Sequence, residues 1–472
     1  MKRRVIIEEF GKIGHAELEM KPMMMFVGDN NSGKSYLMSL LWGLSSVGVP
    51  VLIRVNDEIK KSKLYEECEQ YVIERIRAGE GKEPLSAEWF GRFLHLLNDC
   101  IEQNKDYFVS EIFNKNMHIG KLELDIEGEA ELNIEVETDF QFELSLPKEL
   151  EKEEINRNHT ENKRILWIAD TPDSKRGIVI SDDYMQNGER YIEWILKVFL
   201  RYWSDLKNRE TYRRSDSKVF LPSSRTGFIL SKNLLTNNIY ETSLNRFNNT
   251  IQEEMQEDQD FYFTKPVISF LKLLNNIGEK KYGIQQLEEL AEFMERTILH
   301  GQVEIQNTMA KSFLYKPETL DNPIQMYLAS AVVTEITPLY LLCKYSYAMT
   351  EMFIEEPEMC MHPRLQTRIA RVLVRLSNMG IPVTMTTHSD IIIQHINNML
   401  RVKNSDKKQA LMEKYKIEEQ DLLGEEQVGV YQFSCLGKDH SQITELRAKE
   451  MGFETTTFSD AFEEMLELTY GI

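Results

Sequence analysis

Cysteine is scarce in this 472-residue chain. The five cysteines, Cys68, Cys100, Cys343, Cys360 and Cys435, are scattered, odd in number and form no C-x-x-C pair. That pattern argues against a disulfide framework or a zinc site and leads to the expectation of a reducing, cytoplasmic setting. Positive charge is also short: 56 Lys and Arg stand against 76 Asp and Glu, a net charge of −20. Such a surface repels a phosphate backbone at long range, so DNA is a partner that the charge balance does not support; only a local basic patch would bind it. Internal repeats and low-complexity tracts are missing, which excludes solenoids and disordered tails as the organising principle. The first residues, MKRRVIIEEFGKIG, have basic side chains but no long apolar core, unlike a signal peptide. One uncharged run, Tyr36–Ile53, approaches membrane-span length, but Ser39, Gly43, Ser45, Ser46, Gly48 and Pro50 interrupt it. It reads as a buried helix followed by a strand, and no membrane is expected.

What is present is a globular composition, 42% hydrophobic and 28% charged, with length for two or three domains. Val5–Phe10 and His15–Met20 read as strands joined by a glycine turn, and Met23–Val27 as a short continuous apolar strand for a sheet centre. A helix is expected from about Gly33. Between Asp57 and Leu146 helical patterns give way to alternation from His118 onward, as in antiparallel strands. Leu146–Lys163 is highly charged and reads as an exposed helix or loop. RILWIAD and RGIVISDD read as strands, ERYIEWILKVFLRYWSDLK as a helix, Ser231–Glu295 as mostly helical, and ILHGQVEIQNTMAKSFLYKPE as a hairpin. The last third predicts helices over Tyr327–Tyr347, Arg364–Met379 and Ile391–Leu400, with strands at Met352–Ile354 and Val383–Thr386. The tail adds the strand VGVYQF and a helix over Phe458–Leu468.

Gly28-Asp29-Asn30-Asn31-Ser32-Gly33-Lys34-Ser35 matches G-x-x-x-x-G-K-[ST] between a strand and a helix. Such a loop turns backbone N–H groups, including those of Asn30, Asn31 and Ser32, toward phosphates at a helix N-terminus. Gly28 and Gly33 permit the backbone angles, Lys34 reaches the β and γ phosphates, and Ser35 offers its hydroxyl to Mg2+. ATP and Mg2+ are the expected cofactors. Some 300 residues on, Glu355 and Glu356 follow an apolar strand. Glu355 suits the metal, through water, and Glu356 suits a general base. His388 follows the strand Val383–Thr386, with one helix between it and Glu356, so the two strands should be parallel neighbours. His388 suits a γ-phosphate and its water network.

GDNNSGKS, FIEEPE with MHP after it, and TTHSD together resemble the ABC-type class of AAA-family ATPases, which includes SMC proteins, RecF and the OLD ATPases. FLPSSRTGF (Phe220–Phe228) resembles the LPASR-[ST]-G stretch of ATPases from bacterial defence islands. LASAVVTEITPL (Leu328–Leu339) resembles their shortened signature, S-S-x-x-x-E-L-x-P-L. The similarity covers Met1–Ile53 and Val219 to the C-terminus, and not Arg54–Lys218. It implies an α/β fold: an ABC-ATPase-like head with a mixed or parallel sheet flanked by helices, an inserted α+β region and a helical subdomain. The head would occupy 1–55 and 219–400, with the helical subdomain at about 231–320. The insertion would be 56–218, and 401–472 a C-terminal α/β extension. The resemblance also implies a homo-oligomer of heads closing around ATP, with Ser330 contacting in trans the γ-phosphate held by another copy. Two positions depart from the pattern: Glu355 stands where Asp is usual, and Ala331 replaces the second signature serine, which leaves the rate of hydrolysis open. Arg225 either faces the nucleotide or a partner, or forms a structural ion pair.

The insertion is too short and mixed for an SMC coiled coil. Neither the paired acidic motif of a TOPRIM domain nor a His-Asn-His zinc pattern is evident. By resemblance to the ATPase subunits of PARIS-type and Septu-type anti-phage systems, a TOPRIM or HNH nuclease-like effector would be a separate protein, released by a phage-derived trigger. The alternative is a RecF-like or SMC-like repair ATPase acting on DNA, or a nucleotide-binding scaffold with little turnover.

Overall fold

The computed structural model describes residues 2–78, 81–127, 133–140, 163–169, 176–179, 188–204, 217–232, 263–278, 283–306, 311–437, 440–449, 452–454 and 466–470. The chain divides into two compact units: Met1–Arg4 with Gly48–Lys105 and Leu122–Glu210, and Val5–Val47 with Asp106–Lys121 and Thr211–Ile472.

A nine-stranded sheet has seven of its strands wholly in the second, larger unit. Its strands are β1 (Lys2–Phe10), β2 (Ile13–Glu19), β3 (Met23–Gly28), β4 (Ile119–Glu127), β5 (Ser217–Leu221), β6 (Met349–Glu355), β7 (Val383–Thr386), β8 (Val428–Leu436) and β9 (His440–Leu446). They lie in the order β4-β1-β2-β9-β8-β3-β7-β6-β5. The five strands from β8 to β5 are mutually parallel. All six residues of β3 are buried between β7 and β8, which is why that segment reads as an unbroken apolar run. The fold is α/β with a mainly parallel sheet flanked by helices.

Parallel strands need crossovers, and the helices supply them. The helix α1 (Lys34–Ser46) follows β3; α2 (Ala331–Lys344) precedes β6; α3 (Pro363–Asn378) joins β6 to β7; α4 (Asp390–Lys403) follows β7. Pro363 opens α3, where its missing N–H costs nothing. Arg371 and Arg375 on the same helix hold the fully buried Asp421, and both guanidinium groups lie over the Phe293 ring, at 5.2 and 4.4 Å. These contacts fix α3 to the helix Gln285–Met294 and to the chain beyond α4.

The hairpin predicted from GQVEIQ…LYKPE is present, Gly301 pairing with Pro317 and Gln306 with Ser312. Three expectations change. After α1 the chain forms a short helix, Gly48–Leu52, and no strand; Pro50 lacks the N–H that a central ladder needs. The helix expected over Tyr327–Tyr347 starts only at Ala331, because Ser330 is extended at ψ 154°. The alternating stretch after His118 is shared between two sheets: Ile119–Glu127 joins the large sheet and Asn133–Phe140 a separate four-stranded one. The segments 146–162 and 233–262, and most of the final helix expected at 458–468, lie outside the described residues.

In the smaller unit an antiparallel sheet contains Gly81–Pro84, Asn133–Phe140, Lys163–Ala169 and Arg176–Val179. The helix Gly188–Ser204 places Phe199 against Phe90 and Phe93, with ring centroids 5.1 and 5.6 Å apart. Among the described residues no helix is long and apolar enough to cross a membrane.

Candidate nucleotide site

Parallel strands in register bring their carboxyl ends to one edge, and ligands of open α/β sheets bind there. At this edge Gly28 ends β3, Leu221 ends β5, Glu355 ends β6, Thr386 ends β7, and Phe433 of β8 lies opposite Gly28.

Gly28 adopts φ 114°, and a Cβ there would sit 2.1 Å from the main-chain oxygen of Phe433. Only glycine allows β8 to approach this closely. The same oxygen accepts the N–H of Asp29 at 3.0 Å, and the Asp29 carboxylate accepts the N–H of Cys435 at 2.9 Å. Asn31 and Gly33 are also left-handed, at φ 58° and 97°, which curls the loop. The Ser32 hydroxyl donates to the Asp29 oxygen at 2.6 Å. Asn30, Asn31 and Ser35 are exposed; Ser32 and Lys34 are buried. The N-terminus of α1 carries no side-chain cap, so its first N–H groups face the loop as an anion-binding end. The Lys34 ammonium donates to the oxygens of Gly28, at 3.1 Å, and of Asp29. Burial pushes its pKa down, against the pull of Asp29 and Glu356.

Glu355 is buried, and its Oε2 accepts the N–H of Ser223 at 2.9 Å. Glu356, half-buried, has φ 41°, a strained backbone for a non-glycine residue that costs on the order of 1–3 kcal/mol. Its N–H is shared between the Thr386 oxygen at 3.0 Å and the Thr386 hydroxyl at 3.2 Å. Such strain persists only where surrounding contacts enforce it, and it turns the chain sharply at the strand end. His388 donates its backbone N–H to Glu358 Oε1 at 2.7 Å, and the Thr387 hydroxyl donates to the same atom at 2.8 Å. Burial lowers the His388 pKa and the charge of Lys34 lowers it further. The field of Glu356 reaches Lys34 and that of Lys34 reaches His388, so these three groups form one electrostatic cluster.

The fold thus gathers Gly28, Ser32, Gly33, Lys34, Glu355, Glu356 and His388 at one sheet edge, with Ser35 on the first exposed turn of α1. Ser330 stands on another helix. It is the exposed N-cap residue of α2, and its side chain makes no cap bond.

Arg225 is the structural ion pair of the two readings that the sequence left open. Its side chain is 2% exposed and faces Glu335 Oε2 at 3.1 Å. Its Nε donates to the Glu335 oxygen at 3.0 Å, Nη1 to the oxygens of Pro222 and Glu355 at 2.9 and 2.7 Å, and Nη2 to the Glu356 oxygen at 3.1 Å. Sequence reasoning passed over Glu335, Glu358, Thr387 and Ser223. Glu335 is the acidic position of the shortened signature, and Glu358 is the third acid of EEPE, so both had a visible signal. Ser223 works through its backbone and had none.

A comparison with curated proteins found no match. Among solved structures the chain is similar to an Smc head bound to the C-winged helix domain of ScpA, at 11% identity and TM-score 0.35, covering 94% of this chain and 98% of that one. It is also similar to an Smc head with an extended coiled coil bound to the C-terminal domain of ScpA from Pyrococcus furiosus. That match has 11% identity and TM-score 0.33, and covers 99% of both chains. An SMC head domain from Thermotoga maritima matches at 9% identity and TM-score 0.33, covering 94% of this chain and 99% of that one. A comparison with protein families matches residues 1–393 to the AAA ATPase domain. The nucleotide loop at Gly28–Ser35, the acidic strand end and the histidine therefore belong to an ATPase, and the chain is a member of the AAA ATPase domain family.

Proposed function

We propose that this ATPase is the regulatory subunit of an anti-phage defence complex, whose heads dimerise in the ABC manner around ATP and control a separate effector. The dimer part of the reading is carried by α2. Its N-terminus is exposed at Ser330, and beside it Tyr327 and Leu328 are 69% and 62% exposed. An uncapped helix N-terminus favours an anion, and an apolar rim favours a covering protein. A second copy presenting its phosphate loop supplies both. Ser35 and Glu355 would hold Mg2+: a hydroxyl and one carboxylate, with phosphates and water completing the shell, is the donor set this ion takes. Glu356 is the base for the attacking water, and His388, kept neutral, hydrogen-bonds the γ-phosphate. The defence assignment is supported by the LPSSRTGF and LASAVVTEITPL stretches and by the net charge of −20, which disfavours a DNA track. The effector would be a TOPRIM or HNH nuclease-like protein, released by a phage-derived trigger.

The test is Glu356→Gln with ATP and Mg2+, followed by sedimentation velocity and by affinity capture from the native host. The expected result is a dimer that persists with ATP, turnover reduced by about 10²-fold or more, and a co-purifying nuclease-like protein. Nanomolar binding to duplex DNA at physiological salt, with only recombination proteins captured, would replace this reading by the repair one.

A further inference from the structure

Arg225 holds together two parts of one chain that, in the head dimer proposed above, serve different nucleotides. Glu335 lies in the second turn of α2, the helix that Ser330 begins. Glu355 and Glu356 lie at the acidic strand end. The guanidinium binds the oxygens of all three residues, and that of Pro222, with distances from 2.7 to 3.1 Å. The joint is reinforced beside it. The Thr226 N–H donates to Glu335 Oε1 at 2.9 Å, and the Thr226 hydroxyl meets that of Thr334, also on α2, at 2.7 Å. Ser223 N–H holds Glu355 Oε2 at 2.9 Å. The segment from Ser223 to Thr226 is therefore a clamp with α2 on one side and the two glutamates on the other.

Two features make the clamp a transmitter rather than padding. The guanidinium is a planar, rigid fork, so moving one oxygen moves the plane that holds the others. And Glu356 is in a left-handed conformation, at φ 41°, held at its N–H by Thr386 and at its oxygen by Arg225 and by the Met359 N–H, each at 3.1 Å. A small displacement of Arg225 releases one of the two hydrogen bonds at the oxygen of a strained residue.

We propose that Arg225 is a positioning residue that couples the two nucleotide sites of a head dimer. When Ser330 engages the γ-phosphate held by the other copy, α2 settles, and through Glu335 and Arg225 the Glu356 carboxylate of the same chain is set for its own nucleotide. Occupancy of one site then governs hydrolysis at the other. The coupling rests on the dimer reading and is absent from a head that hydrolyses ATP alone.

The experiment compares wild type with Arg225→Lys, Glu335→Gln and Thr226→Val. Arg225→Lys keeps the charge and loses the fork. Thr226→Val deletes one hydroxyl from a half-buried position, and so tests the coupling even where the two charge-site variants fail to fold. Measured are affinity for a fluorescent ATP analogue, turnover against ATP concentration, and ATP-dependent dimerisation with each change placed in the Glu356→Gln background. The expected result is unchanged affinity and a retained dimer. Maximal turnover falls by about 10²-fold in Arg225→Lys and Glu335→Gln, as a misplacement of about 1 Å produces. The Hill coefficient, above about 1 in wild type, falls toward about 1 in all three variants. Retained dimers with turnover and Hill coefficient at wild-type values in Thr226→Val and in whichever charge-site variants fold would overturn the coupling while leaving the dimer reading intact. A Glu356→Gln protein that stays monomeric with ATP would overturn both.

Discussion

The ammonium of Lys34 lies 3.1 Å from the main-chain oxygen of Gly28, six residues earlier, and so closes the phosphate loop on itself. A phosphate bound in the loop offers charged oxygens in place of these carbonyls, and charge-assisted bonds are roughly twice as strong as neutral ones. Lys34→Ala is therefore expected to weaken ATP binding by about 10²-fold while the protein stays folded. Calorimetric titration with ATP and Mg2+ checks the first part, and thermal unfolding the second.

Gly28 tests the close approach of β8. In Gly28→Ala the new methyl would meet the Phe433 oxygen at 2.1 Å, on a backbone at φ 114°. Backbone cannot swing aside as a side chain does, so a loss of about 3 kcal/mol or more is expected. Gly227→Ala is the control, because a Cβ there meets nothing within 4 Å. Urea unfolding of the two variants should separate them clearly.

Asp421 is fully buried between Arg371 and Arg375. Asp421→Asn leaves Arg371 without its buried counter-charge and Arg375 with only the exposed Glu418, at 3.0 Å, and a loss of about 3 kcal/mol is expected at pH 7. The arginines hold this carboxyl below its ordinary 3.8, although burial alone would raise it. The stabilisation is thus present above that value and is lost as pH falls through the lower folded one. The difference between wild type and Asp421→Asn should shrink in acid; a constant difference from pH 7 to pH 3 would contradict the ion-pair account.

His395 carries the opposite kind of burial. Desolvation, aided by the positive charge of Arg371, lowers its pKa to about 4 from an ordinary 6.5. As pH falls below 6.5 the unfolded chain takes up this proton first, so stability declines until about pH 4, where the folded protein takes it up too. His395→Gln should flatten the stability profile across that window and leave it unchanged above pH 7. Parallel profiles for the two proteins would show that His395 does not titrate in this way.

Much of the nucleotide site was legible because its chemistry is local in sequence. Gly28–Ser35 is one turn of chain between a strand and a helix, and the apolar run Met23–Val27 can only be a buried strand. Glu355 and His388 were legible as strand-end residues, since alternation of short apolar runs with helices predicts parallel strands whose ends converge. The hairpin at Gly301–Pro317 was legible for a similar reason, as two alternating runs about a polar turn.

What sequence left open is what depends on contacts between segments far apart. Arg225 has the same side chain whether it faces a phosphate or a carboxylate, and only the packing of α2 against the strand ends, 110 residues away at Glu335, made it a buried joint. The start of α2 at Ala331 rather than Tyr327 was likewise a matter of tertiary structure, because helix propensity changes little across that stretch while the extended Ser330 stops it. The stretch after His118 shows the limit most plainly. Alternation with period two marks a strand and its buried face, but not which sheet supplies the neighbour, and the chain gave Ile119–Glu127 to one sheet and Asn133–Phe140 to another. The sequence by itself determined an ATPase loop, its acidic strand end and its parallel strands, all set by local pattern. Tertiary structure decided which oxygens bind Arg225, why Glu356 is strained and where the helix behind Ser330 begins, because those are fixed by long-range packing.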